Sequence, residues 1–182
     1  MKRSFIIMLV CILLFIFSAC GNNNVLSSSY GANSPEELVG KLEELYKAPN
    51  PSDDGIAVLT YEYVFAKNEA DKRTIEYSAH CASMIDLLRG QYGDDTQVTF
   101  SNVDINKNEL SEEKLQSLRS ALAASYNDTD KIEDICLVIY DWKASGSSGQ
   151  VADTMREHYI KVGDKWYLFE TYTDYYYELD LK

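Results

Sequence analysis

Few side chains in this 182-residue sequence could do acid–base, nucleophilic or metal chemistry: two histidines, four cysteines and scattered carboxylates. His80 stands beside Cys81, but neighbours on a helix point about 100° apart. A Cys–His dyad needs the two groups in contact, so this pair does not make one. His158 lies in VADTMREHYIKV, where alternation puts it on one strand face with Thr154, Arg156 and Ile160, and puts Met155 and Tyr159 on the other. If the first face lines a cavity, Arg156 and His158 are its polar groups; if not, they belong to a solvated outer face. Asp141 and Asp153 flank an expected hairpin, and no short motif gives either a catalytic role. The catalytic residue is therefore unassigned.

DINKNELSEEKL begins like a calcium loop, with Asp104, Asn106 and Asn108 at alternate positions. It has Glu109 where glycine is needed and Leu115 where a bidentate glutamate should close the loop. The expectation is a polar turn before a helix whose first turn carries Glu112 and Glu113, with no metal and no cofactor. Cys81 and Cys136 are the candidate pair for a disulfide, which an extracytoplasmic location allows; the alternative is two buried free thiols. Of the fourteen tyrosines, Tyr167 and the cluster Tyr172, Tyr175, Tyr176 and Tyr177 crowd the C-terminus. In KWYLFETYT, Trp166, Leu168 and Glu170 share one face, and Tyr167, Phe169, Thr171 and Thr173 the other, with solvent or a partner expected over one of them. The tyrosines suit the last strand of a sheet. Three in a row, Tyr175 to Tyr177, must also leave at least one exposed, which suits carbohydrate stacking or a protein interface.

Helices come first among the elements that must position these groups. SPEELVGKLEELYKA has Ser34 as a cap, Pro35 at the first helical position and Glu37 at capping-box spacing; Leu38, Leu42, Leu45 and Tyr46 recur on one face. IAVLTYEYVFAKN reads as a second helix, although its Val, Thr and Tyr content also suits a strand. A longer helix from about Glu69 to Gln91 carries Ile75, Cys81, Met84, Ile85 and Leu88 inward and stops at Gly90 and Gly93. QVTFSNVDIN looks extended. SEEKLQSLRSALAASYN returns to helix, aligning Leu115, Leu118 and Leu122. From Lys131 the period is near two: EDICLVIYDWK and VADTMREHYIKV flank a flexible loop, ASGSSGQ, and Gly163–Asp164 turns into KWYLFETYT. This predicts an α+β domain with N-terminal helices packed against a curved antiparallel sheet.

The N-terminus, MKRSFIIMLVCILLFIFSAC, has a charged start at Lys2 and Arg3, an apolar run from Phe5 to Phe17 and small residues before Cys20, the anatomy of a signal peptide. The run falls short of the roughly 20 apolar residues of a spanning helix. FSAC followed by Gly21 resembles the lipobox of bacterial lipoproteins. That resemblance implies cleavage before Cys20 and its modification with diacylglycerol, whose two chains hold stably where one does not. The expected organisation is a signal peptide over residues 1–19, an Asn/Ser/Gly tether over 20–33 with a reach of about 20 Å, and one domain over 34–182. The formal charge is −12, and −14 once Lys2 and Arg3 are gone. No basic run appears, which disfavours nucleic acid and adhesion to anionic headgroups, and leaves the lipid on Cys20 as the contact with the bilayer.

SPEELVGKLEELYKA near the start and HYIKVGDKWYLFE near the end resemble the two ends of a nuclear transport factor two-like domain, a cone-shaped α+β fold carried by many exported bacterial lipoproteins. The resemblance spans about Ser34 to Thr173. It implies a pocket between concave sheet and helices, used in relatives for enzymes, small-molecule binding or protein association, and dimerisation through the sheet. Fold does not select among these. The reading is a non-enzymatic module in the cell envelope that binds a protein partner or small ligand. Its candidate residues are Arg156, His158, Trp166, Tyr167, Tyr175, Tyr176 and Tyr177. The alternative is a small isomerase or dehydratase, which needs an Asp or His deep in the cone with a tyrosine in hydrogen-bonding reach.

Overall fold

Ser34 opens the first helix as its spacing predicts. In the computed structural model, which describes residues 30–48, 53–72, 81–107 and 110–169, α1 spans Pro35–Lys47 and the Ser34 hydroxyl accepts the Glu37 N–H at 3.2 Å. The returning half of the capping box differs, because the Glu37 carboxylate accepts from the Asn33 N–H at 3.0 Å instead of from Ser34. Leu38, Val39, Leu42 and Leu45 are buried, giving the helix one apolar face.

The expected second helix is two short ones, α2 (Asp53–Ala57) and α3 (Tyr61–Phe65). They break at Leu59–Thr60, where Leu59 O accepts the Leu168 N–H at 2.8 Å and Thr60 bridges Leu168 in parallel. Helical and β-branched signals overlap in that segment because each is satisfied in turn. Residues 69–72 are helical, and α4 runs Cys81–Tyr92; Ile75 and His80 lie outside the described residues. Ile85 and Leu88 are buried as expected, but Met84 is 45% exposed and so does not face the core. The helix ends at Gly93, whose φ of +110° is a conformation glycine adopts without strain.

The sheet follows: β1 (Gln97–Asn106), then α5 (Glu112–Leu122) and a 3-10 turn (Thr129–Lys131), then β2 (Ile132–Gly146), β3 (Gly149–Val162) and β4 (Lys165–Phe169). The order is β1-β2-β3-β4, antiparallel throughout. A bulge between Ser101 and Asp104, with Asn102 at φ 52°, bends β1. On the same edge strand the Phe100 N–H is taken by the Glu43 carboxylate at 3.0 Å. The ASGSSGQ segment is shorter as a loop than its composition suggests, since the strands continue to Gly146 and resume at Gly149. Asp95 holds the Ser147 N–H and hydroxyl at 2.9 Å each, and Tyr92 O accepts the Ser148 N–H at 2.8 Å.

Both faces of β4 are covered, which corrects the expectation that one face of the last strand meets solvent or a partner, whereas Ala152 to Arg156 of β3 are exposed. On the first face, α1, α2 and α4 pack over Val98, Cys136, Val138, Tyr140, Ala144, Tyr159, Trp166 and Leu168. On the second, Leu115, Leu118 and Leu122 of α5 join Tyr61 over Ile132, Ile135, Ile160, Val162, Tyr167 and Phe169. The fold also begins before Ser34. Ala32 is fully buried and pairs with Trp166 through hydrogen bonds of 2.9 and 2.8 Å, so Gly31–Asn33, assigned to the tether by composition, are edge structure. Among the described residues no helix is long and apolar enough to cross a membrane.

Candidate functional site

Glu157 is a charged side chain that β3 sends to the helix-covered first face, and unlike Asp153 on the same face it is half-buried. It lies opposite Val138 and two residues from Tyr159, which is opposite Cys136. The Tyr159 hydroxyl donates to Glu157 Oε2 at 3.3 Å, and Tyr140 makes a second side-chain hydrogen bond to the same carboxyl. Tyr159 is fully buried and Tyr140 is 3% exposed, while Glu157 as a residue is half-buried. Burial raises the Glu157 pKa and outweighs the two tyrosine hydrogen bonds, which pull it down. Burial, followed by the neighbouring Glu157 charge, raises both tyrosines. A line of rings leads to the cluster from α1: Tyr46 to Phe100 at 5.8 Å between centroids, and Phe100 to Tyr140 at 4.6 Å.

A hollow of about 450 Å³ opens beside Glu157, lined by Thr154, Met155, Arg156, Glu157, His158, Leu168 and Phe169. It lies where β4 ends. Arg156 and His158 are on the α5 side of β3, opposite Ile139 and Leu137, and not on the side that α1 covers. Arg156 is exposed and His158 half-buried. Burial, and then the Arg156 charge, lower the His158 pKa to about 4, so its ring is neutral across the physiological range.

The other sequence candidates fall elsewhere. Trp166 and Tyr167, each 5% exposed, are core residues on opposite faces of β4 and present no binding surface. Tyr175, Tyr176 and Tyr177 lie outside the described residues. Asp141 is on the α5 side, accepting from Asn102 at 2.7 Å and Thr154 at 3.0 Å; these bonds lower its pKa. Asp153 points to the α1 side but is exposed. Cys136 is a free thiol, 2% exposed, with its pKa pushed up to about 12 chiefly by burial, the setting of an unreactive cysteine. The side chain of Cys81 and the lipidation candidate Cys20 lie outside the described residues. In the calcium-like stretch, Asp104 and Asn106 are part of β1, the Asn106 amide donates to Asp104 at 3.2 Å, and Leu115 is buried in α5. Among the described residues no group of His, Cys, Asp and Glu could hold a metal ion.

Glu157 is the residue that sequence reasoning missed. Alternation already grouped it with Met155 and Tyr159, so a carboxylate on an aromatic strand face was the available signal. Comparison with protein-family models, with characterised proteins and with solved structures finds no match to this chain.

Proposed function

We propose that this chain is a lipid-anchored extracytoplasmic lipoprotein, held to the bacterial cell membrane through Cys20, whose domain is a non-enzymatic binding module for a protein partner or small ligand. We also propose that the domain is a nuclear transport factor two-like cone in which α5 covers the outer sheet face. The observation that supports binding is the hollow at the end of β4, where the edge of β3 runs on beside Met155, Leu168 and Phe169. Arg156 and Thr154 supply polar contacts at that edge, and a sheet edge offers main-chain hydrogen bonds to an extended partner.

One observation favours the second reading, a proton-transfer enzyme of the isomerase or dehydratase type: a carboxyl with a raised pKa beside two phenols is what such chemistry uses. Accessibility weighs against it, since both tyrosines are closed to a substrate and a catalytic acid must reach the atom it protonates. Native mass spectrometry of the chain released from its host's membranes tests the proposal. A mass increment of a diacylglycerol on Cys20, together with a co-purifying molecule or protein, is the expected result. An unmodified chain overturns the anchor, and a modified but bare chain overturns the binding role.

A further inference from the structure

α4 carries apolar residues on two sides. Ile85 and Leu88 are buried in the core, yet Leu87 is 66% exposed and Met84 is 45% exposed. At about 100° per residue, Leu87 and Gly90 lie opposite the buried pair, in the middle of the outer side, with Asp86 and Gln91 flanking them. Gly90 does not end the helix, which continues to Tyr92, and the positive φ belongs to Gly93. A glycine inside a helix costs stability against alanine. Packing among the described residues does not call for it, since an added Cβ at Gly90 meets nothing within 4 Å. Gly40 of α1 has equally open surroundings, but its neighbours one turn away are Glu36, Glu37, Glu43 and Glu44. Beside Gly90 stands an exposed leucine.

Each feature of this side finds its complement in a second copy. When two α4 helices run antiparallel about a twofold axis between Leu87 and Gly90, Leu87 of each copy meets Gly90 of the other, where the missing side chain permits close approach. The same rotation puts Asp86 of each copy on the side of the seam that holds Arg89 of the other. Asp86 and Arg89 are the charged residues of α4 and sum to zero, in a chain of formal charge −12. Two such acidic chains repel each other as wholes, and on this side they meet without adding to that repulsion.

We propose that the chain pairs with a second copy of itself through the outer side of α4, Leu87 of each packed on Gly90 of the other. The pairing does not depend on the binding role proposed above. A contact between two 12-residue helices falls below the roughly 800 Å² per partner of a standard interface. The dimer is therefore weak, with a dissociation constant on the order of 0.1 mM.

Sedimentation equilibrium tests it on the chain from residue 20 carrying Cys20→Ala, under reducing conditions and over concentrations from about a tenth of that constant to about ten times it. The expected result is a monomer–dimer equilibrium that Leu87→Asp and Gly90→Ala each weaken at least about tenfold, while Gly40→Ala leaves it unchanged. In dilute solution, where the chain is monomeric, Gly90→Ala unfolds at a temperature no lower than the wild type, because its methyl enters open space. A weakened dimer then reads a lost contact and not a damaged fold. A chain monomeric throughout overturns the proposal, and so does a dimer that either substitution leaves as tight as the wild type.

Discussion

Replacing Glu157 by Gln changes the pH dependence of stability in a direction set by the buried carboxyl. In the folded chain burial raises its pKa above the ordinary 4.5. The folded state therefore holds this proton more tightly than the unfolded state. The resulting stability is fully present below pH 4.5 and is lost as pH rises through the folded value. Across that window each pH unit costs about 1.4 kcal/mol, a large share of the roughly 5–15 kcal/mol that holds a domain together.

Gln has the same shape, keeps a carbonyl to accept from Tyr159 or Tyr140, and does not titrate. At pH 4 the wild-type carboxyl is mostly neutral, and E157Q differs from it only by rearranged hydrogen bonds, about 1 kcal/mol either way. Above the window E157Q is the more stable chain, by about 1.4 kcal/mol for each unit the window spans. Urea unfolding at half-unit steps from pH 4 to 8 measures this, with Trp166 in the core and half-buried Trp142 as fluorophores. The difference between the two chains cancels other titrating groups. A pH-independent difference, or one that favours the wild type more as pH rises, refutes the assignment of a buried, proton-retaining carboxyl at position 157.

His158 works in the opposite sense: its pKa, lowered to about 4, gives stability that is present above about pH 6.5 and lost as pH falls toward 4, so H158Q flattens the acid limb of the same unfolding series. Leu118, 2% exposed beneath α5, anchors the helix on the second sheet face, and L118A costs about 2–5 kcal/mol in urea midpoint at constant slope. Gly31 has φ +69°, and a Cβ there would lie 2.7 Å from Trp166 O, so G31A destabilises by about 1–3 kcal/mol although composition places it in a tether. Gly40 lies within α1 with nothing within 4 Å of an added Cβ; thermal unfolding of G40A shows a gain of about 0.5–1 kcal/mol.

The strands and α5 were legible because each carries its own period. The β2–β3–β4 meander follows from alternation and from the Gly163 turn, and the Leu115, Leu118, Leu122 stripe specifies a helix with one buried face. Assigning the sheet faces was harder. β2 places Ile135, Leu137 and Ile139 on one face and Cys136, Val138 and Tyr140 on the other, so hydropathy alone does not say which face the N-terminal helices cover. The register shift between Ile132 and Asp134 adds a further change of side at the start of the strand. Arg156 and His158 were therefore weighed for a cavity face, while Glu157, one residue along on β3, is the group that turns toward the helices. The same two-sided apolar run carries a deduction: a strand apolar on both faces is buried on both, so a second layer has to exist. The helix between β1 and β2, with its three aligned leucines, was the free amphipathic element able to supply it. With that layer in place Tyr167 and Phe169 become core residues, which leaves Tyr30 as the exposed tyrosine among the described residues.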